Sequence, residues 1–258
     1  MHELHCQVHP LDGCARVVHS IEDADVGNVA CPGNSASAVN LIVAICTLRY
    51  SGKSGDATGF VSYMERHNIA TGVIPRHVGN HLHITFHLAG IIYRMREHVK
   101  TFVREETTVK VQKDRISKDM DNENVVSMLQ AIGLYGKLMT GPWMVHLYVK
   151  DSHKDHVDSA KLFGDLMTNL YRVKDEPSLT FTTDNDFFNK PLQEDPDAKA
   201  DEVFIALRSR QENGLLVKIR TLAIGMIACL ERQLHIDCKR TARSDPAEGT
   251  TAAFSSIS

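Results

Sequence analysis

No stretch of this sequence is long and apolar enough to cross a bilayer. The longest apolar run, around Val39–Leu48, is far short of the roughly twenty residues a membrane helix needs. A secretory signal is missing as well: Met1-His2-Glu3-Leu4-His5-Cys6 has no basic start and no apolar run behind it. The six cysteines form no Cys-x-x-Cys pair and no dense framework, so reduced thiols in an intracellular protein, nuclear or cytoplasmic, are expected. Basic charge is also lacking. The net charge is −3 with histidine neutral, which gives no overall drive toward nucleic acid, although a local basic face is not excluded. There is no internal repeat and no Gly-x-Ser-x-Gly nucleophile motif.

What is present is an ordinary globular composition, 43% hydrophobic and 24% charged over 258 residues. That length suffices for one large domain or two small ones. The periodicity is mostly helical. Helices are expected over 10–24, over 38–49 behind a Ser35 or Ser37 cap, and over 57–67 behind Asp56. The clearest lies at 80–104, where Ile84, Leu88, Ile91, Ile92, Met95, Val99 and Phe102 make one continuous stripe. Residues 107–112 alternate and read as a short strand or an extended linker. A helix from Asp121 or Asn122 carries Val125, Met128, Leu129, Ile132, Tyr135 and Met139 inward and stops at Gly141-Pro142. Beyond His153 a helix buries Val157, Ala160, Phe163, Met167 and Leu170. Residues 174–199, with Pro177, Pro191 and Pro196, read as an exposed loop. Helices over 200–210 and 215–235 follow, then a small, polar, disordered tail from Ala242. The expected fold is mainly α, with roughly seven helices and few or no strands. It divides into an N-terminal helical segment (1–72), a helical domain (73–240) and the tail (241–258).

Fourteen histidines make metal sites the first question. His2, His5, Cys6 and His9 share one face if helical, and imidazole with thiolate suits zinc. Pro10 disfavours that geometry at His9, and a structural Cys-x-x-His step is the expectation. His81, His83 and His87 lack the Glu that a zinc hydrolase places after its first His, and read as the solvated side of their helix. Ser51-Gly52-Lys53-Ser54-Gly55 resembles the end of a P-loop, but Thr47 stands where the first Gly belongs, so it reads as a turn. Asp184, Asp186, Glu194 and Asp195 form an acidic cluster of the kind that binds magnesium, set in a segment too polar and too Pro-rich to hold metals rigidly. No cofactor is expected.

Three segments together carry a resemblance: Leu4-His5-Cys6-Gln7-Val8-His9, Val78-Gly79-Asn80-His81-Leu82-His83, and Ala131-Ile132-Gly133-Leu134-Tyr135-Gly136-Lys137-Leu138-Met139-Thr140-Gly141-Pro142-Trp143. In this order they resemble the later part of hAT-superfamily DNA transposases, and more closely their transposon-derived relatives in animals. Those relatives read Gly-Asn-Arg-Phe-Asn at the second segment; here Gly79 and Asn80 match, and His81-Leu82-His83 replace the rest. The resemblance implies the helical insertion region of an RNase H-like core, with Cys6 and His9 as a structural step. Arg76, Asn80, His81 and His83 are then possible contacts to DNA or a partner. Gly133, Lys137, Thr140, Gly141, Pro142 and Trp143 form a packing motif. It also implies that the first two catalytic aspartates and a zinc finger would lie before Met1, which leaves too few carboxylates for two-metal phosphoryl transfer. The function expected on this basis is a truncated, catalytically inactive transposase-derived protein that binds a protein partner or, weakly, DNA. Two alternatives stay open: an unrelated helical interaction module, and a metal-dependent enzyme using the histidine clusters.

Overall fold

The computed structural model describes residues 13–18, 20–21, 37–77, 81–107, 109–146, 156–192 and 201–241. The Cys6–His9 step, the His2, His5, Cys6 and His9 set, Asn80, and the tail from Ala242 lie outside the described residues. Among those described, the chain is all-α as the periodicity predicts. It holds ten α-helices and no strand, only an isolated antiparallel bridge between Asn185 and Pro191.

The helices begin where capping chemistry places them. Helix α1 (Ala38–Tyr50) starts at Ser37, whose hydroxyl accepts from the Asn40 amide at 3.2 Å. It is apolar on nearly every side and correspondingly buried through Leu41, Ile42, Ile45 and Leu48. Helix α2 (Ala57–Arg66) starts at Asp56, which accepts from Gly59 at 3.0 Å. Helix α3 (His81–Thr101) runs without a break into a π turn at Phe102–Glu106. Its predicted stripe is the buried face: Leu88, Ile92, Val99 and Phe102 are fully enclosed. Helix α4 (Lys110–Met120) precedes α5 (Glu123–Tyr135), which is capped by Asn122 through the Asn124 amide at 3.0 Å.

Helix α5 is the axis of the fold, buried from Val125 to Tyr135 without interruption. It continues through a π turn (Gly136–Thr140) into α6 (Gly141–Met144), with Pro142 in the first turn, where its missing N–H costs nothing. Helices α7 (His156–Asp175), α8 (Leu179–Thr182), α9 (Glu202–Ser209) and α10 (Leu215–Thr241) complete the order. Helix α3 packs most extensively on α5, with α9 and α10 on other sides and α7 outside α10.

The α3–α5 crossing depends on glycine. A Cβ on Gly133 would stand 2.8 Å from the Cα of Gly90 and 2.8 Å from Leu207 Cδ2, while one on Gly136 would stand 2.8 Å from the Phe86 carbonyl oxygen. Buried polar groups then fix α9 and α10 against α5. Gln130 donates to the Leu207 carbonyl at 2.7 Å and accepts from the Glu212 amide at 3.2 Å, and Tyr135 donates to the Ile219 carbonyl at 3.0 Å. An unsatisfied group at these positions would cost about 1–3 kcal/mol, so the pairs specify the packing.

Four expectations need correction. Residues 107–112 do not form a strand: Thr107 is extended, and α4, a polar helix whose Ile116 and Met120 reach the core, begins at Lys110. The helix ending at Gly141-Pro142 does not leave its path there, because the π turn absorbs the break. Helix α7 faces the core with Leu162, Leu166, Leu170 and Val173 rather than Ala160, which is exposed, and Phe163 and Met167 are only partly buried. The described part of 174–199 is not an exposed loop, since Phe187 and Phe188 insert into the core. Residues 13–18 and 20–21, inside the helix expected over 10–24, are helical, and the helices that the sequence did not indicate are α4 and the four-residue α6 and α8.

Candidate functional site

Where α3 crosses the α5–π turn–α6 path, the glycine contact leaves a cleft of about 540 Å³. Gly90, Gly133, Gly136 and Gly141 form its floor, so backbone rather than side chains lies under any occupant. Helix α3 contributes His83, Phe86 and His87; the π turn and α6 contribute Lys137, Pro142, Met144 and Val145. The segment after α8 supplies Asp186 and Leu192, and α9 supplies Phe204 behind its capping residue Asp201. Such a mix of apolar wall and few polar groups, at a volume within roughly 300–1,000 Å³, is typical of preformed ligand sites.

The polar groups have defined partners. His83 Nδ1 shares a hydrogen bond with the buried Thr140 hydroxyl at 2.9 Å, and its ring lies 5.5 Å from that of His87, one helical turn on. Burial, with help from His87 and Lys137, holds the His83 imidazole down at about 4, so it is neutral near pH 7. Burial also lowers His87, with Lys137 adding to this and Asp201 opposing it. Lys137 donates to Asp201 Oδ2 at 2.6 Å. Burial of Asp201 opposes its ionisation, but Lys137 and the Phe204 and Val203 amides outweigh it and keep the carboxyl below its ordinary range.

Deeper in, His146 Nε2 meets Asp186 Oδ2 at 3.0 Å, with the two side chains only 7% and 5% exposed. The other Asp186 oxygen accepts from the Phe188 and Lys190 amides at 2.8 and 2.9 Å. Both carboxylates of the cleft are therefore occupied in place. The His83–Thr140 pair has the composition of a base and a nucleophile. Its imidazole is too weak a base and its hydroxyl is fully buried, an arrangement that fixes the wall rather than activating it. Among the described residues no group of three or more His, Cys, Asp or Glu side chains is placed to hold a metal ion.

The predicted residues separate into two places. His83, Gly133, Lys137, Gly141 and Pro142 all line the cleft, and Thr140 stands behind it as the His83 partner. Trp143 is 1% exposed in the core, edge-on to Phe163 at 5.8 Å and Phe188 at 6.0 Å. Tyr135 meets Phe187 edge-on at 5.8 Å. Arg76 lies elsewhere, exposed over the Tyr50 ring at 5.1 Å, in a second hollow of about 450 Å³ with Thr47, Ser51, Ser54 and His77. The side chain of His81 falls outside the described residues.

His83 and His87 correct the expectation of a solvated histidine face: both are half-buried because α9 and the π turn close over that side of α3. Sequence reasoning missed His146, Asp201 and Phe204 and placed Asp186 in solvent. The Asp186-Phe187-Phe188 step, two aromatics inside a supposedly polar loop, was the available signal. Comparison with family models, with curated proteins and with solved structures found no match for this chain.

Proposed function

We propose that the chain is a transposase-derived helical protein that acts by binding a protein segment in the α3–α5–α9 cleft and carries out no phosphoryl transfer of its own. One observation carries the reading. Four residues of one hAT-like segment, Gly133, Lys137, Gly141 and Pro142, line a single cleft whose two carboxylates are already engaged, and His83 joins them from a position where the second segment departs from the family. Two-metal chemistry needs carboxylates free to ligate. Neutral imidazoles, an apolar wall and a glycine floor suit the capture of a side chain or a chain end instead. A protein ligand is favoured over DNA because the net charge of −3 gives duplex DNA no long-range attraction. Among the described residues no helix is long and apolar enough to cross a membrane.

The test is selection of peptides from a random displayed library on the full chain, each then re-measured on Val145→Glu. Val145 lines the cleft and is 40% exposed, so the substitution is tolerated by the fold. Peptides that bind the wild type and lose affinity on the variant support the reading. Peptides indifferent to Val145→Glu contradict it, as does nicking of plasmid in magnesium or manganese that Asp186→Asn abolishes.

A further inference from the structure

We propose that the cleft recognises a carboxylate joined to an apolar group, with Lys137 as its counter-ion and His83 and His87 beside it; this rests on the cleft being the binding site. The cleft lining holds both polar and apolar groups. The Lys137 ammonium spends one of its three N–H donors on Asp201 at 2.6 Å. His83 and His87 lie close enough to Lys137 for its charge to disfavour their protonation. His87 makes no hydrogen bond among the described residues. Phe86, Met144, Leu192 and Phe204 line the same cleft with apolar side chains.

A cationic ligand is disfavoured, because Lys137 stands beside both imidazoles and both lining carboxylates are satisfied. Lys190 also lines the cleft and adds a second ammonium. An anion with an apolar attachment matches what remains. A chain terminus ending in an apolar residue and a free arylalkyl acid share that chemistry.

The charge balance gives the site a pH signature. The groups facing the histidines are Lys137 from the π turn, Asp201 at the start of α9, and His146, Asp186 and Lys190 from the α6 end and the segment after α8. Asp201 and Asp186 are already hydrogen-bonded, to Lys137 and His146. An added anion therefore favours the protonated form of His83 or His87. Binding takes up a proton, and affinity rises as pH falls from neutral, until the ligand's own carboxyl is protonated.

The experiment titrates N-acetylphenylalanine and N-acetylphenylalaninamide into the ¹⁵N-labelled full chain, following the Gly133, Gly136 and Gly141 amides. The acid should shift them with an affinity at least about tenfold above the amide, the value of one charge-assisted contact. It should also tighten as pH falls below about 6.5, the ordinary histidine value. Lys137→Met should erase the preference for the acid, and Lys53→Met should leave it intact. Stronger binding by acetyl-Ala-Ala-Phe than by 3-phenylpropionate supports a chain terminus as the source of the carboxylate; the reverse order supports a free acid. If acid and amide bind equally, the carboxylate proposal is overturned while the cleft stands as a binding site. If neither probe shifts these amides, the proposal is overturned and the selected peptides decide the wider reading. A pH-independent affinity of the wild type overturns it without recourse to any variant.

Discussion

Replacing Gly133 by alanine tests the helix crossing on which the cleft is built. In a solvent-facing helix the change stabilises by about 1 kcal/mol, because alanine is the better helix former. At Gly133 the added Cβ meets Gly90 Cα at 2.8 Å, Leu207 Cδ2 at 2.8 Å and Gly90 N at 3.0 Å. Leu207 can turn aside, but the α3 backbone can yield only by moving the whole helix. Overpacking of this kind costs about 1–3 kcal/mol, occasionally more. Because two of the three contacts are backbone, the upper part of that range applies. Subtracting the propensity gain leaves a net loss of about 1–2 kcal/mol. Gly164 supplies the control, since it lies within α7 with nothing within 4 Å of its added Cβ. Gly164→Ala should raise stability. Urea unfolding followed by far-UV circular dichroism reads both, and the Gly133 variant should lose about 1 M in midpoint at an unchanged slope. If the two variants shift the midpoint in the same upward direction, α3 and α5 do not meet at these glycines and the floor of the cleft is wrongly placed.

Further outcomes follow from individual contacts. Trp143, enclosed by Phe163 and Phe188, should emit at short wavelength and resist iodide quenching; emission typical of exposed indole would remove it from the core. Leu88→Ala, at a fully buried position, should cost about 2–5 kcal/mol in the same unfolding assay, and a cost under about 1 kcal/mol would place that face of α3 in solvent. Asp186→Ala leaves His146 and the Phe188 and Lys190 amides without their acceptor, so it should destabilise by about 3–5 kcal/mol; a neutral result would return that loop to the surface. The folded-state value of His83 lies below its ordinary value of 6.5, at about 4, so the unfolded chain binds the extra proton between those limits. Its contribution is complete above about 6.5 and is lost as pH falls toward about 4, so His83→Gln should flatten the acid side of the stability profile. An unchanged acid limb in that variant would contradict the burial of the imidazole.

How much of this was legible in the sequence depended on how each segment is buried. Helices α1, α2 and α5 announce themselves because capping residues Ser37, Asp56 and Asn122 precede their apolar positions, and α3 does so through its apolar stripe. Helix α4 was illegible since, among its described side chains, the apolar ones in the core are Ile116 and Met120, too few to make a period. The facing of α7 was misjudged because Phe163 and Leu162 are neighbours of similar hydrophobicity, and only the position of α10 decides between them. The cleft was half legible. Its α3 and α5 walls lie in the quoted segments, yet nothing local indicates that Asp186 and Asp201, far along the chain, return to close it. The paired histidines read as solvated for the same reason: their cover comes from α9 and from the segment after α8. Long-range closure of this kind leaves no periodic trace in the covered helix.

The measurement that bears most directly on the account is hydrogen–deuterium exchange of the full chain with and without a peptide selected for tight binding. The account predicts slowed exchange confined to the cleft, at the α3 turn holding His83 and His87 and along the π turn and α6 from Gly136 to Met144. Protection that leaves those residues unchanged and appears instead around Tyr50 and Arg76, or along the exposed Val217 and Ile224 side of α10, would contradict it.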